Sequence, residues 1–192
     1  MSLMKIQYIY ILLLAVLFAI LPIHAIAGNC QENSNDFIYI ENINVEAGET
    51  FDIPVKFRNE ETYSAFQCDM TLPEGVEFVT DEYGEYCITP ESSRLTTTHT
   101  ITILQTENGD MRLACYSSAS RDIKGNDGAL LYIKAKAGEE CRGELGLRMS
   151  NIRFSTADAT EKILEDVEGT ITIIPPVKYY TITYMVDGEV YA

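Results

Sequence analysis

A side-chain period of two, repeated in short runs, constrains this chain more than any other feature. Phe51, Ile53, Val55 and Phe57 alternate with Asp52, Pro54 and Lys56. Phe66, Cys68, Met70 and Leu72 alternate with Gln67, Asp69 and Thr71. Such alternation puts one set of side chains on each face of a β-strand. Nine runs of this kind are legible: Phe37–Val45 (broken), Thr50–Phe57, Ala65–Leu72, Val76–Val79, Thr97–Gln105, Met111–Tyr116, Ala129–Ala137, Glu144–Phe154 and Gly169–Ile174. Turn residues separate them, including Pro73-Glu74-Gly75 and the hairpin signal Asn108-Gly109. Ala129 to Ile133 is apolar on both phases, as expected of a strand covered on both sides. The eighth run slips phase near Ser150-Asn151, which predicts a bulge. Asp81–Arg94, Ser117–Gly128 and Ser155–Asp166 read as loops, the last with room for one helical turn. Many short strands without crossover helices predict an all-β chain, a nine-stranded antiparallel β-sandwich.

The ends of the chain read differently. Lys5, the apolar run Tyr8–Leu21 and the small-x-small step before Gly28 form a three-part secretory signal over residues 1–27. The run is short of the ~20 apolar residues of a spanning helix, so an integral membrane protein is not expected after cleavage. Cys30 raises a lipid-anchored reading, but Asn29 stands where a small residue is wanted. Residues 28–36 then make a linker and 37–174 the sandwich. Pro175-Pro176 opens a second linker, 175–178. The segment 179–192 alternates again and carries Asp187-Gly188. It reads as the first arm of a second module, with no room for the other arm to form.

Charge and composition exclude several functions. The 192 residues carry a formal net charge of −15. That surface repels nucleic acid and anionic lipid. Beyond the signal the one histidine is His99, read as a solvated strand residue rather than a base. No GxSxG, HExxH, P-loop or GxGxxG pattern occurs, so an enzyme is not expected. Cys68, Cys87, Cys115 and Cys141 allow three disulfide pairings, and Cys68 and Cys115 fall on apolar phases that suit buried thiols. Asp122, Asn126 and Asp127 could offer oxygens to calcium, but a turn before the next strand is the simpler reading. No cofactor is expected. Tyr83 and Tyr86 could form a sugar platform, although the chain has no tryptophan.

The stretches "VEAGETFDIPVKFRN", "SAFQCDMTLPEGVEFV", "NGDMRLACYSSASRDIKGNDGALLYIKAKA", "GELGLRMSNIRFSTADA" and "EGTITI" follow one another in an order that resembles the cohesin domain. The resemblance covers roughly Ile43 to Ile174. It implies jelly-roll topology, shared with some carbohydrate-binding modules, and no catalysis. It implies a protein partner, a calcium-loaded dockerin-like module whose calcium is its own. The partner would bind the sheet made of the third, fifth, sixth and eighth strands. Where cohesins often carry an Asp between two aromatics of the third strand, this chain has Gln67, and Cys68 replaces the second aromatic. The tail "YTITYMVDGEVY" resembles the start of the β-grasp repeats of internalin-like surface proteins.

Alternation then names the outward residues. They are Ala65, Gln67, Asp69 and Thr71 on the third strand, Arg112, Ala114 and Tyr116 on the sixth, and Glu144, Gly146, Arg148 and Ser150 on the eighth. Ala65, Gln67, Asp69, Thr71, Arg112, Tyr116, Glu144 and Arg148 are the expected contacts. The expected function is an exported, non-catalytic interaction module of a secreted or cell-surface protein. The alternative is a carbohydrate-binding or spacer module of an adhesin or a polysaccharide-degrading system.

Overall fold

The computed structural model describes residues 35–176 and, of the tail, 180, 182–186 and 189–191. The expected signal over 1–27 and most of the linker after it lie outside the described residues. The described chain is all β. Its strands are β1 (Phe37–Tyr39), β2 (Ile43–Glu46), β3 (Thr50–Arg58), β4 (Ala65–Thr71), β5 (Val76–Phe78), β6 (Ile88–Pro90), β7 (His99–Gln105), β8 (Met111–Ser117), β9 (Ala129–Ala137), β10 (Gly143–Ser155), β11 (Glu161–Ile163), β12 (Val167–Ile174), β13 (Tyr184–Val186) and β14 (Glu189–Tyr191).

Two sheets make the sandwich. One has the order β1-β3-β9-β5, with β6 also on β9; the other has the order β2-β12-β10-β4-β8-β7, with β11 on β10. All nine expected runs are strands, and four differences follow from pairing that alternation does not reveal. The first run divides at Ile40–Asn42: β1 pairs β3 in one sheet and β2 pairs β12 in the other. The β2–β12 pair is parallel, an exception in an otherwise antiparallel sandwich. The loop Asp81–Arg94 holds β6, and Ser155–Asp166 holds β11 rather than a helical turn. In the tail, β13 and β14 pair as a hairpin, so the expectation that its second arm could not form is corrected.

The core lies between the sheets. Phe57 of β3 stacks on Phe154 of β10 with ring centroids 3.9 Å apart, and Phe66 and Tyr63 pack against Phe154 at 5.5 and 5.3 Å. These rings join the two layers through dispersion and burial. Leu130 and Leu131 are both fully buried, so β9 is covered on both faces as its sequence implies. The bulge is where the phase slips. The β4–β10 register breaks between Ser150 and Arg153, and Asn151 takes a left-handed φ of 51°. One extra residue there reverses the parity of β10. Arg148 and Arg153, an odd number apart, therefore both face outward, while Met149, Ile152 and Phe154 face in.

Candidate docking face on the larger sheet

The four strands expected to share a sheet are neighbours, in the order β10-β4-β8-β7. Their register lays the outward residues in rows. Ala65 lies opposite Tyr116 and Ser155; Gln67 opposite Ala114 and Arg153; Asp69 opposite Arg112 and Ser150; Thr71 opposite Arg148. β7 adds Thr100, Thr102 and Leu104, opposite Tyr116, Ala114 and Arg112. Glu144 and Gly146 lie further along β10, where it pairs with β12.

Asp69 differs from its neighbours. It points outward by phase yet is only 3% exposed. Arg112 lies over it, with Nε donating to Oδ1 and Nη2 to Oδ2, both at 2.6 Å. Asn151 Nδ2 donates to Oδ2 at 2.7 Å from the bulge. The Arg112 guanidinium holds the Asp69 carboxyl below the usual carboxylate range, against the upward push of burial, with Asn151 assisting. A two-pronged guanidinium–carboxylate pair fixes both groups in a plane. Arg112 is thus set at one angle, with Nη1 left over to donate. Asp69 offers a partner little surface of its own.

The rest of the face is mixed. Arg148 pairs with Asp166 at 2.6 Å and Arg153 with Glu161 at 3.1 Å, both in the open, where such pairs contribute about 0–1 kcal/mol. Thr71 Oγ1 donates to Asp110 at 2.7 Å. Tyr116 is 49% and Leu104 61% exposed, flanking small Ala114. The result is a shallow floor with an aromatic, an aliphatic and a fixed guanidinium around it. Sequence reasoning missed Arg153, Asn151 and Leu104. The bulge signal could have found the first two, because it shifts the outward phase.

Other candidates assemble no site. Tyr83 stands free at 83% exposed, whereas Tyr86 packs edge-on against Phe78 at 5.9 Å, so the two do not share a platform. Asp127 Oδ1 accepts from Tyr39 Oη at 2.8 Å, a bond that holds its carboxyl below the usual range. Asn126 gives its carbonyl to Asn59 N–H at 2.9 Å. Among the described residues no three potential ligands gather for a metal. His99 is half-buried rather than solvated, and its Nδ1 accepts from Thr96 N–H at 3.0 Å. Burial lowers its pKa, although Thr96 and Arg121 oppose this. All four cysteines of the domain are free thiols, and burial pushes Cys68 and Cys115 up to about 12.

The model of the cohesin domain family matches residues 38–173, nearly the whole sandwich. This chain belongs to the cohesin domain family. Its fold is shared with a non-cellulosomal cohesin of Archaeoglobus fulgidus, at 18% identity and a TM-score of 0.56, covering 72% of this chain and 91% of that one. It is also shared with the cohesin module of a family 33 glycoside hydrolase of Clostridium perfringens, at 16% identity and 0.58, covering 74% and 98%. A third is the cohesin of a type I cohesin–dockerin complex from Clostridium thermocellum, at 12% identity and 0.56, covering 74% and 98%. No curated protein matches the chain. Within this cohesin, Gln67 lies outward on β4 opposite Ala114 and Arg153. The nearest outward acid on the same strand, Asp69, is already bound to Arg112.

Proposed function

We propose that this cohesin is a non-catalytic receptor for a dockerin-like protein module, taken on the outer face of β10-β4-β8-β7. The arrangement of Arg112 carries the reading. A guanidinium held rigid by a buried carboxylate loses little freedom on binding, and arginine and tyrosine are frequent interface anchors. Ala65, Ala114 and Gly146 lower the floor so that a helix can approach. Gln67, Thr71, Tyr116, Glu144 and Arg148 surround it as polar and aromatic contacts, and Asp69 acts by positioning Arg112. Calcium, in this reading, belongs to the partner. Residues 1–27 export the chain, and the sandwich serves a secreted or cell-surface protein whose segment 179–192 is similar in sequence to a β-grasp-type repeat.

Titration of the purified chain with calcium-loaded dockerin modules from the same organism tests this. Saturable, calcium-dependent binding is expected. It weakens at least tenfold on Arg112→Ala and less on Gln67→Ala, and is unchanged on Lys134→Ala, whose ion pair with Asp52 lies on the other sheet. No binding to any of these modules refutes the reading. Glycan binding lost on Tyr83→Ala would replace it with the carbohydrate-binding alternative.

A further inference from the structure

Sheet edges carry unpaired backbone groups, and proteins protect them with brevity, charge, proline or bulges. Most edges of this sandwich follow that rule. β1, β5, β6 and β11 have three residues each. β6 ends in Pro90, β11 carries Glu161 and Lys162, and β2 has four residues ending in Glu46. β7 does not. It runs for seven residues at the end of the larger sheet and, among the described residues, pairs only with β8. From Leu95 to Thr106 there is no Asp, Glu, Lys, Arg or Pro, in a chain of net charge −15.

The bonds that flank β7 show which groups face the open side. Ser118 N–H donates to Thr98 C=O at 3.1 Å, and Thr106 N–H donates to Asp110 C=O at 2.9 Å. In an antiparallel pair the backbone groups of alternate residues point to the same neighbour. Thr98, Thr100, Thr102, Leu104 and Thr106 therefore bond toward β8. Ile101, Ile103 and Gln105 present N–H and C=O to the open edge. His99 presents its C=O there, because its N–H donates to Thr96 C=O at 3.0 Å.

We propose that β7 pairs with the β7 of a second copy of this chain, antiparallel, about a two-fold axis at Thr102. The strand is self-complementary in that register. Ile101 meets Ile103 of the second copy, and both are hydrogen-bonding residues on the open side. Gln105 N–H meets the C=O that His99 leaves free. Thr100 meets Leu104, which is 61% exposed, beside Tyr116. Thr102 meets Thr102. No charge opposes its like across the axis, so the uncharged strand suits a second copy specifically. The two larger sheets become one, and their outer faces lie side by side. This proposal is independent of what the outer face binds.

Because each copy carries a large negative charge, screening by salt strengthens the pair. Sedimentation equilibrium of the purified chain at low and high salt is the test. A monomer–dimer equilibrium shifted toward dimer by salt is expected. Thr102→Lys, an exposed outward position, puts two ammonium groups across the axis and leaves a monomer of unchanged melting temperature. Thr102→Cys places two thiols across a non-hydrogen-bonded pair, about 4.5 Å between Cα atoms, within disulfide reach. Diamide then takes the two hydrogens and links the copies through position 102, a crosslink that neither wild type nor Thr100→Cys gives. A monomer at both salt concentrations overturns the proposal. So does a dimer that survives Thr102→Lys.

Discussion

Replacing Tyr63 by Phe removes one hydroxyl from a polar network built around the buried Asp36 carboxylate. Tyr63 is 1% exposed and its ring packs against Phe57 and Phe154. Its hydroxyl donates to Asp36 Oδ2. Asp36 also accepts from Glu60 N–H at 2.5 Å and pairs with Lys162 at 3.1 Å. Phenylalanine keeps the ring contacts, so the loss is the hydrogen bond to a carboxylate with a fully buried side chain. Such bonds contribute about 1.5–3 kcal/mol, and two other donors remain, so about 2 kcal/mol is expected. For a domain of this size that lowers Tm by roughly 5–8 °C. The pH dependence carries the mechanism. Burial pushes the Asp36 carboxyl up, but the Glu60 N–H, Tyr63 and Lys162 outweigh it and hold its pKa below the usual value. A depressed carboxylate contributes stability above its unfolded pKa, about 3.9, and loses it as pH falls through the folded value. The gap in Tm between wild type and Tyr63→Phe is therefore full at pH 7 and narrows below about pH 4. Thermal denaturation followed by circular dichroism across that range measures it. An unchanged Tm at pH 7, or a gap as large in acid as at neutrality, refutes the reasoning.

Two further predictions concern the cysteines. Gly75 has φ of +83°, and a Cβ built on it would lie 2.2 Å from Cys141 Sγ, which donates to Gly75 C=O. Gly75→Ala should cost about 1–2 kcal/mol from the left-handed backbone, measured by urea unfolding, and adding Cys141→Ala should relieve the contact but not the backbone cost. In thiol titration of the folded chain, Cys87 and Cys141 react ahead of buried Cys68 and Cys115, and denaturant exposes all four thiols of the domain in addition to that of Cys30.

The alternating runs carried most of the fold because period two reports which side of a strand is buried. Phe51 to Phe57 and Phe66 to Leu72 are core and wall as read, and so are the outward phases of β8 and β10 up to the bulge. Short strands with mixed residues were not legible. Ile88–Pro90 and Glu161–Ile163 have too few residues to show a period, and only pairing, with distant β9 and with the neighbouring end of β10, makes them strands. The division of the first run between two sheets had the same cause.

By itself the sequence determined the class of fold, the core faces and the row Ala65, Gln67, Asp69 and Thr71, since alternation is local and each strand encodes its own two sides. Tertiary structure alone decided what each outward side chain does. Asp69 reads as one more exposed acid until β8 and the bulge of β10 bring Arg112 and Asn151 onto it. Arg153 joins the face because one extra residue reverses parity, and β7 is left as the long bare edge because no other strand among the described residues covers it. Those outcomes depend on register between distant segments, which hydrophobic period cannot carry.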